Sequence, residues 1–193
     1  QPYFMWREKL LPDSNNLEQL GWEVAGVVAD GLSGLKNSLI QTPYQYCQFH
    51  QAQRIRQLLT LKPRMLAAQE LQRIVSRLTQ SNRSEFAHLL EDWSERWDDF
   101  LKEKTYEENG VNFHYTHRKL RAAYRSLKEH VDLLFTYQDF PMGVMPNTNN
   151  AVESFNSWLK RKLQLHPGLS PARRETLISN LIMAYNPISR KGT

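Results

Sequence analysis

Apolar residues recur at helical spacing over most of this chain, and that periodicity constrains its fold more than any other feature. Helical segments are predicted to begin near Pro63, near residue 82 and near Tyr115. Trp93 and Trp97 are one helical turn apart on the apolar face of the second segment, so we expect them in the core. The pattern predicts a protein that is mostly α by content, with strands confined to its first part.

Strand character is strongest in residues 22–29, an apolar and β-branched segment that ends at Asp30. A second strand is predicted over residues 44–49, followed by a helix from His50 onward. An Asp just past the carboxyl end of a buried strand lies where open α/β sheets place their ligands. Asp30 is therefore a candidate site residue; the alternative is that it only caps a short helix predicted near residues 32–40.

Glu153 is the second candidate site residue. Val152, Phe155 and Leu159 form one apolar stripe, which predicts a helix with Asn149 or Asn150 as its N-cap. Glu153 lies off the stripe in the first turn, and three cations follow it: Lys160, Arg161 and Lys162. A carboxylate in this setting suits a site for a metal ion and phosphates, although a Glu at a helix start is also favourable for dipole reasons alone.

Cys47 and His50 have the C-x-x-H spacing of zinc ligands at the predicted strand-to-helix junction. One such pair supplies half of a tetrahedral site, and Cys47 is the only cysteine in the chain. We therefore favour a buried Cys that behaves as a small hydrophobe. A zinc-dependent hydrolase built on this pair is a minor alternative.

Positive charge is concentrated in two clusters, within a chain of net charge +5 and pI near 9.3. The clusters occupy residues 117–128 and 160–174. A solvated helix face would explain each cluster separately, but their positions flanking Glu153 favour contact with phosphates. The predicted DNA contacts are Arg118, Arg121, Arg125, Lys160, Arg161 and Lys162.

Taken in order, these segments resemble the catalytic region of the Mutator-type bacterial insertion-sequence transposases, which have an RNase H-like core with an Asp-Asp-Glu triad. Residues 21–31 resemble the segment that carries the second Asp, and residues 47–51 resemble the C-x-x-H signature. The other matching segments are residues 115–128 and 134–137 at the end of the helical insertion, 148–153 at the Glu helix, and 166–170 after it. The resemblance covers nearly the whole chain.

The resemblance implies an α/β fold with a partial RNase H-like core and a large all-helical insertion. It assigns residues 1–60 to the core, 61–145 to the insertion, and 146–193 to the Glu-bearing helix and a C-terminal helix. It also implies that the family's first Asp would precede Gln1, so the chain is expected to be the C-terminal portion of a longer transposase and inactive alone.

The implied site has Asp30 and Glu153 as catalytic and metal-binding carboxylates, with Cys47, His50, Asn149 and Asn150 in support. The implied reaction is DNA strand cleavage and strand transfer, assisted by two Mg²⁺ or Mn²⁺ ions. The expected partners are transposon ends, target DNA and further copies of the chain, in the bacterial cytoplasm and without a membrane. The competing hypothesis is a non-catalytic helical DNA-binding or assembly module whose carboxylates only cap helices.

Overall fold

The computed structural model describes residues 24–31, 42–108 and 110–185. Two short strands come first, β1 (Val27–Ala29) and β2 (Tyr44–Tyr46), followed by helices α1 (Gln48–Leu59), α2 (Leu66–Ser76), α3 (Arg83–Arg96) and α4 (Asp98–Lys102). A hairpin of β3 (Lys104–Tyr106) and β4 (Phe113–Tyr115) leads to α5 (Arg118–Leu134), a 3₁₀ helix (Thr136–Asp139), α6 (Asn150–Gln164) and α7 (Pro171–Met183). The predicted helical character is therefore confirmed.

The chain divides into two compact units, one ending at Asn149 and the other starting at Asn150. The predicted division at residues 60 and 145 stays a prediction about domain organisation. The helix predicted near residues 32–40 lies outside the described residues, as does the first part of the strand predicted over 22–29. No helix in the described ranges is both long enough and apolar enough to cross a membrane.

Strands β1 and β2 pair in parallel, with Val27 opposite Tyr44 and Ala29 opposite Tyr46. Both strands are shorter than predicted, and the extension of β2 to residue 49 is wrong because α1 already begins at Gln48. A two-stranded parallel pair fits an α/β start, but it does not by itself confirm an RNase H-like core.

The sequence did not reveal the early start of α1, because part of the buried face of this helix is polar. The buried residues of this helix are Gln48, Gln51, Ile55 and Leu59, which recur at helical spacing. Two of the four are polar, so the apolar periodicity visible in the sequence covers only the second half of the helix.

Helices α1, α2, α3 and α5 pack around one hydrophobic core, whose fully buried side chains include Leu71, Phe86, Trp93 and Leu127. The predicted start of α3 is confirmed at Asn82, because Asn82 and Glu85 form a reciprocal capping box with the backbone. Four apolar residues of α5 are buried in this core: Leu120, Ala123, Leu127 and Leu134.

The prediction of an all-helical insertion is wrong, because residues 104–115 contain the β3–β4 hairpin. Its strands are joined by side-chain pairs as well as by the backbone ladder. Tyr106 packs on Phe113 with ring centroids 5.9 Å apart, and the Lys104 Nζ atom lies 4.1 Å from the Phe113 centroid. Such cross-strand pairs stabilise short strands, and they are difficult to recognise in only three residues of sequence.

The second unit is a pair of helices, α6 and α7, joined by a turn. Phe155 and Trp158 of α6 contact Tyr185, with ring centroids 4.6 Å and 5.1 Å away. Helix α7 begins at Pro171, since proline is well tolerated in the first turn of a helix.

Candidate functional site

The junction between β2 and α1 lies directly beside the end of β1. Cys47 is fully buried there, and its backbone N–H donates to the Ala29 carbonyl over 2.7 Å. Asp30 follows Ala29 and is half-buried. Gly31 has a φ of +88°, and a Cβ on it would clash with the ring of Tyr46. Only glycine fits this position, so the path of the chain just after Asp30 is tightly constrained.

The segment that precedes α6 reaches the same junction. Gln48 and Asn147 exchange two hydrogen bonds, from the Gln48 N–H to the Asn147 carbonyl at 3.0 Å and from Asn147 Nδ2 to Gln48 Oε1 at 2.9 Å. The Asn149 N–H then donates to the Cys47 Sγ over 3.5 Å. Cys47 therefore contacts both the end of β1 and the residues directly before the helix of Glu153.

Glu153 lies in the first turn of α6 and is half-buried, in the helix position that the sequence predicted. It belongs to the second unit and Asp30 to the first, and their pairing at one metal site stays a prediction. Asn150 is the exposed first residue of α6, and His50 is a half-buried residue in the first turn of α1.

Asn149 precedes the first residue of α6 and so occupies the predicted cap position. Its Oδ1 atom is buried and accepts no hydrogen bond among the described residues, so the predicted capping by this side chain is not seen. A buried carbonyl oxygen without a donor is a suitable acceptor for a cation or for a water bound to one. An amide oxygen is one of the neutral oxygen ligands that hard cations accept.

Cys47 and His50 show a different donor chemistry. No group of three or more His, Cys, Asp and Glu side chains able to hold a metal ion occurs within residues 24–31, 42–108 and 110–185. The structure thus adds nothing in favour of the zinc-dependent hydrolase, whereas the contacts of Cys47 give it a structural role at the junction.

Three fully buried glutamines hold this junction against α5, and sequence reasoning missed all three. Gln45 Nε2 and Gln48 Nε2 both donate to the Leu134 carbonyl, over 2.8 Å and 2.9 Å. Gln51 Nε2 donates to Ser126 Oγ over 3.1 Å. The sequence gives no sign that these glutamines are buried, because their hydrogen-bond partners lie on a helix far along the chain.

Replacing Gln45 with methionine is expected to destabilise the first unit by about 1–3 kcal/mol. The Gln45 Oε1 atom accepts from the Tyr137 N–H over 2.8 Å, and a methionine of similar volume would leave that N–H without its acceptor. Urea unfolding measures the change, with the exposed Gln53→Met as the matched control. A Gln45→Met protein as stable as this control would show that the network contributes little.

The predicted DNA contacts on α5 differ in their surroundings. Arg118 and Arg125 are exposed, but Arg121 is half-buried. Its Nη1 atom donates to the Leu101 carbonyl over 2.6 Å, and its guanidinium lies 3.6 Å from the ring centroid of Tyr115. Arg121 therefore ties β4 and α4 to α5, and any contact it makes with phosphate must use its other donors.

A recess of about 410 Å³, here called the basic groove, lies between α4, β4 and α5 in the first unit. Its charged and aromatic lining consists of Asp98, Lys102, Tyr115, Arg121, Tyr124, Arg125 and Lys128. Arg118 is not part of this lining, whereas Lys102 and Lys128 are and were not among the predicted contacts. The position of Lys128, seven residues after Arg121 on the same helix face, is the sequence signal that could have identified it.

On α6 of the second unit, Lys160, Arg161 and Lys162 are exposed. Lys160 also lines a recess of about 290 Å³, together with His166 and Gly168 of the turn and Arg174 of α7. Both units thus carry concave surfaces with positive charge, a property expected of a protein that binds a polyanion.

Comparisons with known proteins give no identification: no protein-family model, no curated protein and no solved structure matches the chain. The likeness to Mutator-type transposases rests therefore on the sequence motifs alone.

Proposed function

We propose that this chain acts in DNA transposition through metal-dependent phosphoryl transfer. Asp30 and Glu153 are assigned as two of the carboxylates of an Asp-Asp-Glu site. DNA is the substrate, and Mg²⁺ or Mn²⁺ is the cofactor. The motif order in the sequence motivates this proposal, and the geometry around Cys47 supports it.

The observation that carries the proposal is the pair of hydrogen bonds made by Cys47. Its N–H donates to the Ala29 carbonyl beside Asp30, and its Sγ accepts from Asn149, just before the helix of Glu153. Two segments far apart in sequence, each adjoining one candidate carboxylate, are thus tied to the same buried residue. This arrangement supports the proposal, because it connects the two segments that adjoin the candidate carboxylates.

The donor types also suit the proposed chemistry. When bound, Mg²⁺ would stabilise the attacking and leaving oxygens of an in-line displacement at a DNA phosphate. Asp30 and Glu153 would hold the ion by charge, and Asn149 Oδ1 would offer a neutral acceptor beside Cys47. The contact of Gly31 with Tyr46 restricts the backbone after Asp30, and the Gln48–Asn147 pair restricts the backbone before α6. Both restrictions reduce the ordering cost of binding the metal ion.

Metal titration by calorimetry tests this assignment. The wild-type chain is expected to bind Mn²⁺ or Mg²⁺ weakly, because Mg²⁺ gives up its water ligands reluctantly. Asp30→Asn and Glu153→Gln should each abolish that binding, while the exposed Glu91→Gln on α3 should leave it unchanged. Equal metal affinity in all four proteins would refute the assigned role of the two carboxylates.

The basic groove favours a second candidate function, a non-catalytic DNA-binding module. In that case the chain would bind DNA but would bind no divalent metal at Asp30 and Glu153. Repeating the metal titration on the chain bound to DNA, in the wild type and in Glu153→Gln, separates the two functions. Mn²⁺ binding that is present in the wild type and lost in Glu153→Gln would exclude the non-catalytic module.

A further inference from the structure

We propose that the basic groove binds the sugar–phosphate backbone of a single DNA strand, through residues that include none of the proposed metal ligands. The inference rests on the proposed function only in taking DNA as the ligand. It concerns binding and not cleavage, so the two can fail separately.

One wall of the groove is a row of cations on α5. Arg121, Arg125 and Lys128 stand at i, i+4 and i+7 and therefore share one helix face, spanning about 10 Å along the axis. Lys102 of α4 also lines the groove. Four cations thus line a recess with one carboxylate, Asp98, so its net charge is positive. A row of this kind can contact successive phosphates of one strand.

Two of these cations lie against aromatic rings, and one of them is also held by a hydrogen bond. Arg121 is fixed by its hydrogen bond to Leu101 and by stacking on Tyr115. The Lys128 Nζ lies 5.9 Å from the ring centroid of Tyr124, whose other neighbour is the buried Trp93 at 5.3 Å. Cations positioned before the ligand arrives lose less side-chain entropy when they bind it.

Lys102 is also oriented by a neighbour. The hydrogen bond from its ammonium to Asp98, with the attraction between their charges, raises the pKa of Lys102. Asp98 draws the ammonium away from full contact with a ligand, so Arg125 and Lys128 are expected to contribute more to binding than Lys102.

The size and lining of the groove favour a single strand over a duplex or a lone phosphate. A recess of about 410 Å³ is within the roughly 300–1,000 Å³ of sites that enclose a small organic ligand. It can take a nucleotide-sized part of one strand, whereas a duplex presents a wider and stiffer surface. Cations that line such a groove contact the phosphates of a strand and do not read its sequence.

Fluorescence anisotropy with a labelled single strand of roughly 12 nucleotides, a length within known single-strand site sizes, tests the inference. The variant Arg125→Gln/Lys128→Gln removes two groove cations. Arg56→Gln/Arg77→Gln removes two exposed cations from α1 and from the end of α2, as a charge-matched control. Circular dichroism of both variants checks that their folds are equal.

The groove variant is expected to reduce the log–log salt slope of single-strand binding by about 1.4, since each neutralised phosphate contributes about 0.7. The control should change the slope by much less. Equal slopes for the two variants would overturn the inference. A duplex that competes as well as the single strand, or inorganic phosphate that displaces the strand at equal concentration of phosphate groups, would also overturn it.

A parallel measurement with Glu153→Gln separates this inference from the proposed function. That variant should bind the single strand as the wild type does, whatever its effect on cleavage. If Glu153→Gln lost single-strand binding while the groove variant kept it, the strand would have to bind outside the groove.

Discussion

Under the proposed function, Glu153→Gln and Asp30→Asn are each expected to reduce DNA strand cleavage by roughly a thousandfold or more, measured in a protein that carries all three acids of the proposed Asp-Asp-Glu site. A carboxylate that holds a catalytic Mg²⁺ contributes several kcal/mol to the stabilisation of the transition state, and about 4 kcal/mol corresponds to a thousandfold in rate. Glutamine and asparagine keep the shape of the side chain but remove its charge. Cleavage of labelled DNA in Mn²⁺ or Mg²⁺ gives the rate.

The exposed Glu91→Gln serves as the control for loss of one acid, and it should cleave at the wild-type rate. Thermal unfolding of all variants checks that a loss of cleavage is not a loss of the fold. Wild-type cleavage by either site variant would remove that residue from the catalytic assignment. The other carboxylate would then have to be judged on its own result.

Trp93→Ala is expected to destabilise the first unit by about 3–5 kcal/mol. Trp93 is 2% exposed, its Nε1–H donates to the Ala67 carbonyl over 3.0 Å, and its ring lies 5.3 Å from Tyr124. Alanine would leave a large cavity between α2, α3 and α5 and would remove the donor from a buried carbonyl. Urea denaturation followed by far-UV circular dichroism gives the free energy of unfolding.

Trp97 provides the comparison, since it is half-buried one turn later and donates to Glu70 Oε2 over 2.9 Å. Trp97→Ala should cost clearly less than Trp93→Ala. Trp93→Phe should fall between the wild type and Trp93→Ala, because it keeps an aromatic ring but loses the hydrogen bond and part of the indole volume. If the two alanine variants unfold at the same urea concentration, Trp93 does not have the central role in the core that its burial indicates.

Helix positions in the middle of the chain were predictable because their determinants are local. The apolar residues of α3 and α5 recur within a few residues of one another, and the capping box of Asn82 and Glu85 acts within a single turn. Pro171 marks the start of α7 in the same way. The positions of Asp30 after β1 and of Glu153 in the first turn of α6 were equally readable, since each depends on the neighbouring residues alone.

The hairpin and the start of α1 could not be predicted in this way. Strands β3 and β4 are stabilised across the pair, as by Tyr106 against Phe113, and each strand by itself has only three residues. Gln48 and Gln51 belong to the buried face of α1, although their polar side chains suggest exposure.

The sequence by itself determined where the main helices lie, which residues form the helical core, and which two carboxylates are candidates for a metal site. Those properties follow from periodicity, caps and motif order over short stretches of chain. Only the tertiary structure decided that Cys47 joins Ala29 to Asn149, that three glutamines are buried, and that Lys102 and Lys128 share a groove with Arg121. The physical reason is that hydrogen bonds and charge clusters require partners at specific distances in space, and those partners come from distant parts of the chain.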